Sequence, residues 1–439
     1  MNIPGLPANV STAQHVRPNR AIAAWFASPL QWVAWLFRTF YPIPHLFVPI
    51  SRWSGWWAAV TRFEDVAEVL SRPDVFAVPF AAEIARLNDG QAPGTPFILG
   101  IDDKREHDRQ LKLVMQAFPR GEVASMVTSI ARDAAQNAVR AAAHKATAGA
   151  SARIDAIREL ITDIPITLCE RYYGVPVPIP DRERFAANAM DVSGHLFGLP
   201  PIKPDPAIDN AADVVRAVVD AAIQLELSHP SARSTVLARL ITTHKADPSH
   251  FPIELVRAFL MGMIIGFVPT NTIAGGHILE KLLRNEAFMK AAREAALAGD
   301  DDLLERCLFE AMRFWPLNPG PFRICTRDFV VAADTRRAKN IRKGTKVLAS
   351  TCSAMFDSRQ VKQPFYFDPD RAASDYMLFG YGMHWCVGIF IAQAQITQTF
   401  KALLVQRNLR SAPWPKGKLK LRGIFPDHLF VEFDRVKQP

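Results

Sequence analysis

The sequence predicts a mainly α-helical fold with a small β subdomain. Alanine-rich helical patterns follow one another over residues 123–246, broken at the proline clusters 176–180 and 200–206. Ala258 to Leu279 is a run of 22 residues without a formal charge, which reads as one long helix. Alternating, β-branched or aromatic segments are confined to residues 47–60, to residues 328–350 and to the chain after Leu404.

In chain order, residues 1–20 read as a loose tail, and 21–439 as a single domain. Residues 47–60 (FVPISRWSGWWAAV) read as a strand pair with a turn at Ser54-Gly55. Arg105 to Phe118 reads as a helix. Residues 252–281 read as the long helix, Leu303 to Phe314 as a helix stopped by Pro316, and Ile389 to Leu404 as another helix. Residues 355–385 are rich in turn formers. Lys416, Lys418, Lys420 and Arg422 alternate like an exposed strand face.

Composition narrows the function classes. Apolar residues make up 49% of the 439 residues and charged residues 22%, which excludes a disordered chain, a collagen-like fibre and a disulfide-stapled miniprotein. The net charge of +9 favours acidic partners or anionic surfaces, but no long basic run points to nucleic acid. The five cysteines, Cys169, Cys307, Cys325, Cys352 and Cys386, are widely spaced and include no C-x-x-C pair. They read as free thiols in a reducing compartment, with neither a zinc ribbon nor a covalently attached haem.

Two uncharged stretches raise the question of a membrane. The run at 258–279 carries Pro269, Asn271, Gly275, Gly276 and His277, and fits a helix buried in protein better than one facing lipid. Ala21 to Phe37, with Trp25, Trp32 and Trp35, reads as a packed amphipathic helix, with a segment resting on a membrane surface as the other reading.

One segment stands apart: Phe379-Gly380-Tyr381-Gly382-Met383-His384-Trp385-Cys386-Val387-Gly388. Its glycines permit a tight turn with positive φ. Cys386 ends that turn just before a helix, whose free N–H groups and partial positive charge favour a thiolate, the metal-binding form. Gly388 leaves room for a flat partner. A buried structural cysteine is the ordinary reading of a lone thiol. The six fixed residues of F-G-x-G-x-H-x-C-x-G, however, arise by chance well under once in ~10,000 chains.

This loop resembles the haem-binding loop of the cytochrome P-450 family, over roughly residues 50–435. The resemblance implies haem b, held without covalent attachment between the central long helix and the cysteine-loop helix. Cys386 would be the axial thiolate, which favours O–O cleavage. Phe379 would lie on the thiolate side and His384 toward a propionate. The family's Glu-x-x-Arg matches Glu310 and Arg313. Four other Glu-x-x-Arg occurrences, at Glu83, Glu106, Glu254 and Glu432, show how little the motif says alone. Arg371, in Phe367-Asp368-Pro369-Asp370-Arg371, matches the third member of a buried ion network that fixes the loop. Arg323 and His107 match propionate partners. Where the family often has arginine four residues after that histidine, this chain has Leu111, with Arg109 and Lys112 as the nearby replacements.

The central helix departs from the family. Its members usually place an acid before a threonine there, to deliver protons for O–O cleavage. Here Thr270 keeps the threonine, Pro269 replaces the acid and Phe267 replaces a usual glycine. A shifted alignment makes Asn271-Thr272 the pair instead, about 200° away around the helix. Proline also frees the Ile265 carbonyl and is expected to bend the helix.

The resemblance therefore implies a soluble, bacterial-type monooxygenase that inserts one oxygen atom from O2 into an apolar small molecule. Phe197 and Phe267, with the loops at 76–100 and 185–215, mark the expected pocket. The electron source would be a ferredoxin or another reductase, and the location cytoplasmic, with membrane contact at most peripheral. The alternatives are a peroxide-driven peroxygenase, a hydroperoxide-rearranging enzyme and a non-catalytic haem-binding sensor.

Overall fold

A computed structural model describes residues 29–434, apart from 42, 52 and 147–149. The expected tail at 1–20, and residues 21–28 of the N-terminal amphipathic segment, lie outside the described residues.

Helix α1 (Pro29–Phe40) leads into strands β1 (His45–Val48) and β2 (Gly55–Val60). Then follow α2 (Phe63–Leu70), β3 (Phe76–Ala77), α3 (Ala81–Asp89) and α4 (Lys104–Ala117). Helix α5 (Thr128–Lys145), strand β4 (Ala152–Asp155), α6 (Asp163–Leu168), α7 (Arg182–Leu196), α8 (Pro206–Ser228) and α9 (Val236–Ala246) make up the alanine-rich part. The long helix is α10 (Ile253–Arg284), followed by α11 (Glu286–Ala298) and α12 (Asp301–Arg313). Strands β5 (Phe322–Cys325), β6 (Phe329–Val331), β7 (Lys339–Ile341) and β8 (Lys346–Ala349), the short α13 (Thr351–Ala354) and α14 (Ile389–Leu404) complete the site region. The end is β9 (Arg407–Ser411), β10 (Lys420–Arg422), β11 (Phe425–His428) and β12 (Phe430–Asp434).

The main sheet has the order β1-β2-β8-β5-β3, with β2 and β8 parallel and Trp57 opposite Lys346. A second sheet, β4-β12-β9, ties residue 155 to residue 430. The expected turn at Ser54-Gly55 is the end of a longer connection between Val48 and Gly55. Of the alternating basic residues, only Lys420 and Arg422 enter a strand, because residues 413–418 turn instead.

Several helices begin on side-chain caps. Asp103 accepts the Glu106 N–H, Asn285 those of Ala287 and Phe288, and Asp300 that of Leu303. Helix α10 is buried nearly all round, as expected of a core helix. Among the described residues it is one helix long and apolar enough to cross a membrane, and 72% of its apolar window is buried in protein. Its glycines let neighbours press close. A Cβ at Gly262 would meet the Phe97 ring at 2.5 Å, and one at Gly276 would meet Pro426 at 2.5 Å.

Candidate active site

The cysteine loop is closed by its own backbone. The Cys386 N–H donates to the Phe379 carbonyl at 2.9 Å, and Gly380 and Gly382 take φ of 80° and 71°. A Cβ at Gly382 would lie 2.5 Å from the Leu70 carbonyl oxygen, so the turn needs glycine there. Helix α14 starts at Ile389, capped by Gly388. The Gly388 N–H favours the Cys386 thiolate, but burial outweighs it and holds the thiol above its ordinary value.

Behind the loop lies a buried ion network. Arg313 donates to both Glu310 oxygens at 2.7 and 2.8 Å, and Arg371 reaches Glu310 Oε1 at 3.4 Å. All three side chains are at most 1% exposed. Burying three charges is costly, and here every group is answered. Glu310 also accepts from the Tyr376 hydroxyl at 2.7 Å and from the Asp368 N–H at 3.0 Å. Arg313 donates to the carbonyls of Pro364 and Tyr366, and Arg371 to those of Lys362 and Tyr366. The network thus staples the irregular chain at 362–376 to α12. Phe379 packs on Phe309 of that same helix, ring centroids 5.5 Å apart.

On the other side stands α10. Gly266 and Thr270, one turn apart, are partly open on a helix stretch that is otherwise buried, and nothing lies within 4 Å of a Cβ placed on Gly266. Met263 joins this stripe to the loop: its methyl lies 4.0 Å, and the Cys386 sulfur 3.8 Å, from a Cβ built on Gly388. The helix runs through Pro269 without a break. After the proline, three side chains in succession bond back to carbonyls one turn earlier. Thr270 Oγ1 donates to Gly266 at 2.5 Å, Asn271 Nδ2 to Phe267 at 2.7 Å and Thr272 Oγ1 to Val268 at 2.9 Å. Thr270 shares the open stripe. Asn271 and Thr272 are buried away from it, with Thr272 3.2 Å from Thr162. This corrects the shifted alignment, in which Asn271 stood as a catalytic candidate. Phe267 is also turned away, its ring edge-on to Tyr173 at 5.7 Å, so it belongs to the core rather than to a pocket. Phe197 packs edge-on against Phe80 at 5.2 Å.

The polar rim holds His107, His384 and Arg323, all buried. His384 Nε2 pairs with Asp102 at 2.9 Å, and the two imidazoles meet edge-on at 5.5 Å. Nδ1 of His384 is buried without a hydrogen-bond partner among the described residues, and Nδ1 of His107 lies 3.6 Å from Asp108. Arg323 donates to its neighbouring carbonyl, Phe322, at 2.8 Å and forms no ion pair among the described residues. Burial pushes its guanidinium down to about 10, against the pull of Asp102. Burial likewise lowers His107, and His384 adds to that. A buried guanidinium without an ion-pair partner calls for an anion.

Arg109 and Lys112, expected at this rim, face the surface instead. The buried face of α4 is His107, Gln110 and Val114, and positions 109 and 112 fall off it. Arg109 is held by Glu106 at 2.7 Å, and Lys112 is exposed. Sequence reasoning missed Asp102, Met263 and Tyr376. Asp102 lies in a loop, and only its contact with His384, 282 residues away, reveals it. A groove of about 840 Å³ between α5, α14 and β12, lined by Arg132, Arg140, Lys401 and Phe433, contains none of these residues.

The arrangement fits haem b. The partly buried Cys386 thiol lies beside Gly388, the space in front of Gly266 on α10 is open, and the buried Arg323 has no ion-pair partner among the described residues, as a flat dianionic ring would require. The comparisons agree. A family model described as Cytochrome P450 matches residues 206–420. The steroid C26-monooxygenase of Mycolicibacterium smegmatis is 26% identical over 386 residues, 83% of this chain and 82% of that protein. The chain belongs to the cytochrome P450 family. Another P450 relative, the monooxygenase PikC of Streptomyces venezuelae, is 24% identical over 79% of this chain and 76% of its own length. The P450 heme domain of Tepidiphilus thermophilus shares the fold, with a TM-score of 0.74 at 20% identity, covering 95% of this chain and 96% of that one. This P450 binds haem b through a cysteine thiolate and is a monooxygenase, inserting one oxygen atom into a small-molecule substrate. Its relatives favour that activity over the peroxide-driven and non-catalytic readings. Bacterial P450s of this kind generally draw electrons from redox partners.

Proposed function

We propose that Cys386 is the haem ligand of a cytoplasmic monooxygenase, with 21–439 as its single haem domain. The observation that carries this is the loop itself: one partly buried thiol beside Gly388, reached from α10 by Met263, whose helix leaves Gly266 and Thr270 partly open. Arg323, His107 and His384 hold the propionates, and Gly388 lets the ring approach. Glu310, Arg313 and Arg371 position the loop and touch no substrate. When bound, thiolate-ligated haem supplies O2 activation and favours O–O cleavage.

Thr270 orients a proton donor on the open stripe. Its hydroxyl hydrogen is committed to the Gly266 carbonyl, so its oxygen lone pairs are free to accept from water. Pro269 leaves the Ile265 carbonyl without its helical N–H, which gives such a water a second acceptor. The chain thereby offers a water-based relay in place of a carboxylate.

The substrate is apolar. Phe97 closes over α10 at Gly262, and Phe80 and Phe197 meet between the expected pocket loops. The curated relatives include enzymes named for a steroid and for vitamin D(3). An acidic ferredoxin docks on the cysteine side, where the Arg120 guanidinium lies 4.4 Å over Phe390 and Tyr381 and Trp385 are exposed. The test is turnover of an apolar substrate with a ferredoxin and its reductase under 18O2. One labelled atom in the product and the other in water is expected. Oxygen taken from added peroxide, with no turnover from O2, would overturn the reading.

A further inference from the structure

We propose that the β1–β2 hairpin and the basic ridge beside it form a docking surface for an anionic lipid bilayer. Leu46, Phe47 and Ile50 are 63%, 55% and 64% exposed, and Trp53 and Trp56 are exposed as well. Leu46 and Phe47 are neighbours on a strand, so they point to opposite faces, and both are exposed, Phe47 alongside the Trp56 ring at 5.4 Å. A tip that is apolar on both faces suits a medium that surrounds it, not a flat partner that covers one side. Leu36 and Phe40, one turn apart on α1 just before the hairpin, are exposed too.

The charge beside the hairpin is of one sign. Residues 339–346 contain Lys339, Arg342, Lys343 and Lys346 and no acid. Two of these cations touch the hairpin. Arg342 lies 5.7 Å over the Trp56 ring, and Lys346 lies 5.5 Å over Trp57 and bonds to the Ser54 carbonyl. Among the described residues none of the four forms an ion pair with a side chain, although Asp328 accepts the Lys343 backbone N–H at 2.8 Å. Aromatic residues flanked by lysine and arginine suit the headgroup region, where rings bury and cations meet anionic lipid. A second copy of the chain fits less well, since a two-fold contact here would bring two like-charged ridges together. This surface is independent of the haem chemistry.

The test is flotation of the full-length, haem-loaded protein with vesicles of phosphatidylcholine alone or mixed with phosphatidylglycerol. Flotation with the anionic vesicles, weakened by salt, is expected. Phe47→Ser with Ile50→Ser, and separately Arg342→Glu with Lys343→Glu, should each lower partitioning about 10-fold. The thiolate spectrum should stay that of the unchanged protein, which separates lost docking from lost folding. The proposal fails if the unchanged protein stays in the buffer fraction. It fails equally if either double variant floats undiminished, or if light scattering shows a dimer dispersed by Ile50→Ser without any lipid binding.

Discussion

The two sides of the candidate site are built by opposite rules. On the cysteine side every group of the buried ion network is answered. Glu310 alone takes hydrogen bonds from Arg313, Arg371, Tyr376 and the Asp368 N–H, and none of its neighbours can shift without stranding a charge. On the α10 side groups are left loose. A proline occupies the expected acid position, the Ile265 carbonyl lacks its N–H, and Asn271 Oδ1 is buried without a partner among the described residues. The difference teaches that the loop presenting the ligand is held by charge in a dry interior, whereas proton handling on α10 can be left to water.

The sharpest break of that contrast is at the network. Glu310→Ala leaves two buried guanidinium groups unpaired and should cost about 3–5 kcal/mol in denaturant unfolding of the haem-loaded protein. A loss below about 1 kcal/mol would mean that the ion pairs are decoration.

Farther along α10, His277 tests whether burial rules beyond the proline. It stacks on Trp315 at 4.4 Å, and burial pushes its imidazole down to about 4, opposed by the nearby backbone of Trp315 and Pro316. The unfolded chain protonates near pH 6.5 and the folded one only near 4, so the unfolded state gains protons first as pH falls. Stability should drop by on the order of 3 kcal/mol between about pH 6.5 and 4, then level off. His277→Phe should flatten that window in unfolding curves measured across pH.

On the open stripe, Thr270→Ala should lower product formed per O2 consumed by about 10-fold, while Thr270→Ser retains most of it. Asn271→Ala should change coupling far less, because its side chain is turned from the stripe. The smallest effect belongs to Pro269→Asp. It should raise coupling by no more than about 2–3-fold if water already serves the relay. A much larger gain would show the missing acid to be a true deficit.

Much of this was legible in the sequence. Ile389–Leu404 was read to the residue, because Gly388 marks the start and no glycine or proline interrupts the run that follows. Glu310 stood out among five identical motifs only because its helix stops near Pro316 and lies 73 residues before Cys386. Strands β4 and β5 were missed, being four residues each and held by partners far away in the chain. The rim misled for a related reason. Arg109 and Lys112 carry the right charge, but helix phase puts them outside, while the loop acid Asp102 gains meaning only through His384. Pro269 does not end the helix, and the back-bonds of Thr270, Asn271 and Thr272 around it could not be read from the sequence.

The central claim is that Cys386, and no other thiol, ligates the haem. Each of Cys169, Cys307, Cys325, Cys352 and Cys386 can be replaced singly by alanine and the ferrous carbon-monoxide complex recorded. The account predicts the red-shifted thiolate band in the unchanged protein and in four of the variants, and its loss in Cys386→Ala alone. A thiolate band that survives in Cys386→Ala, or one that another cysteine abolishes while the protein still holds haem, would contradict it.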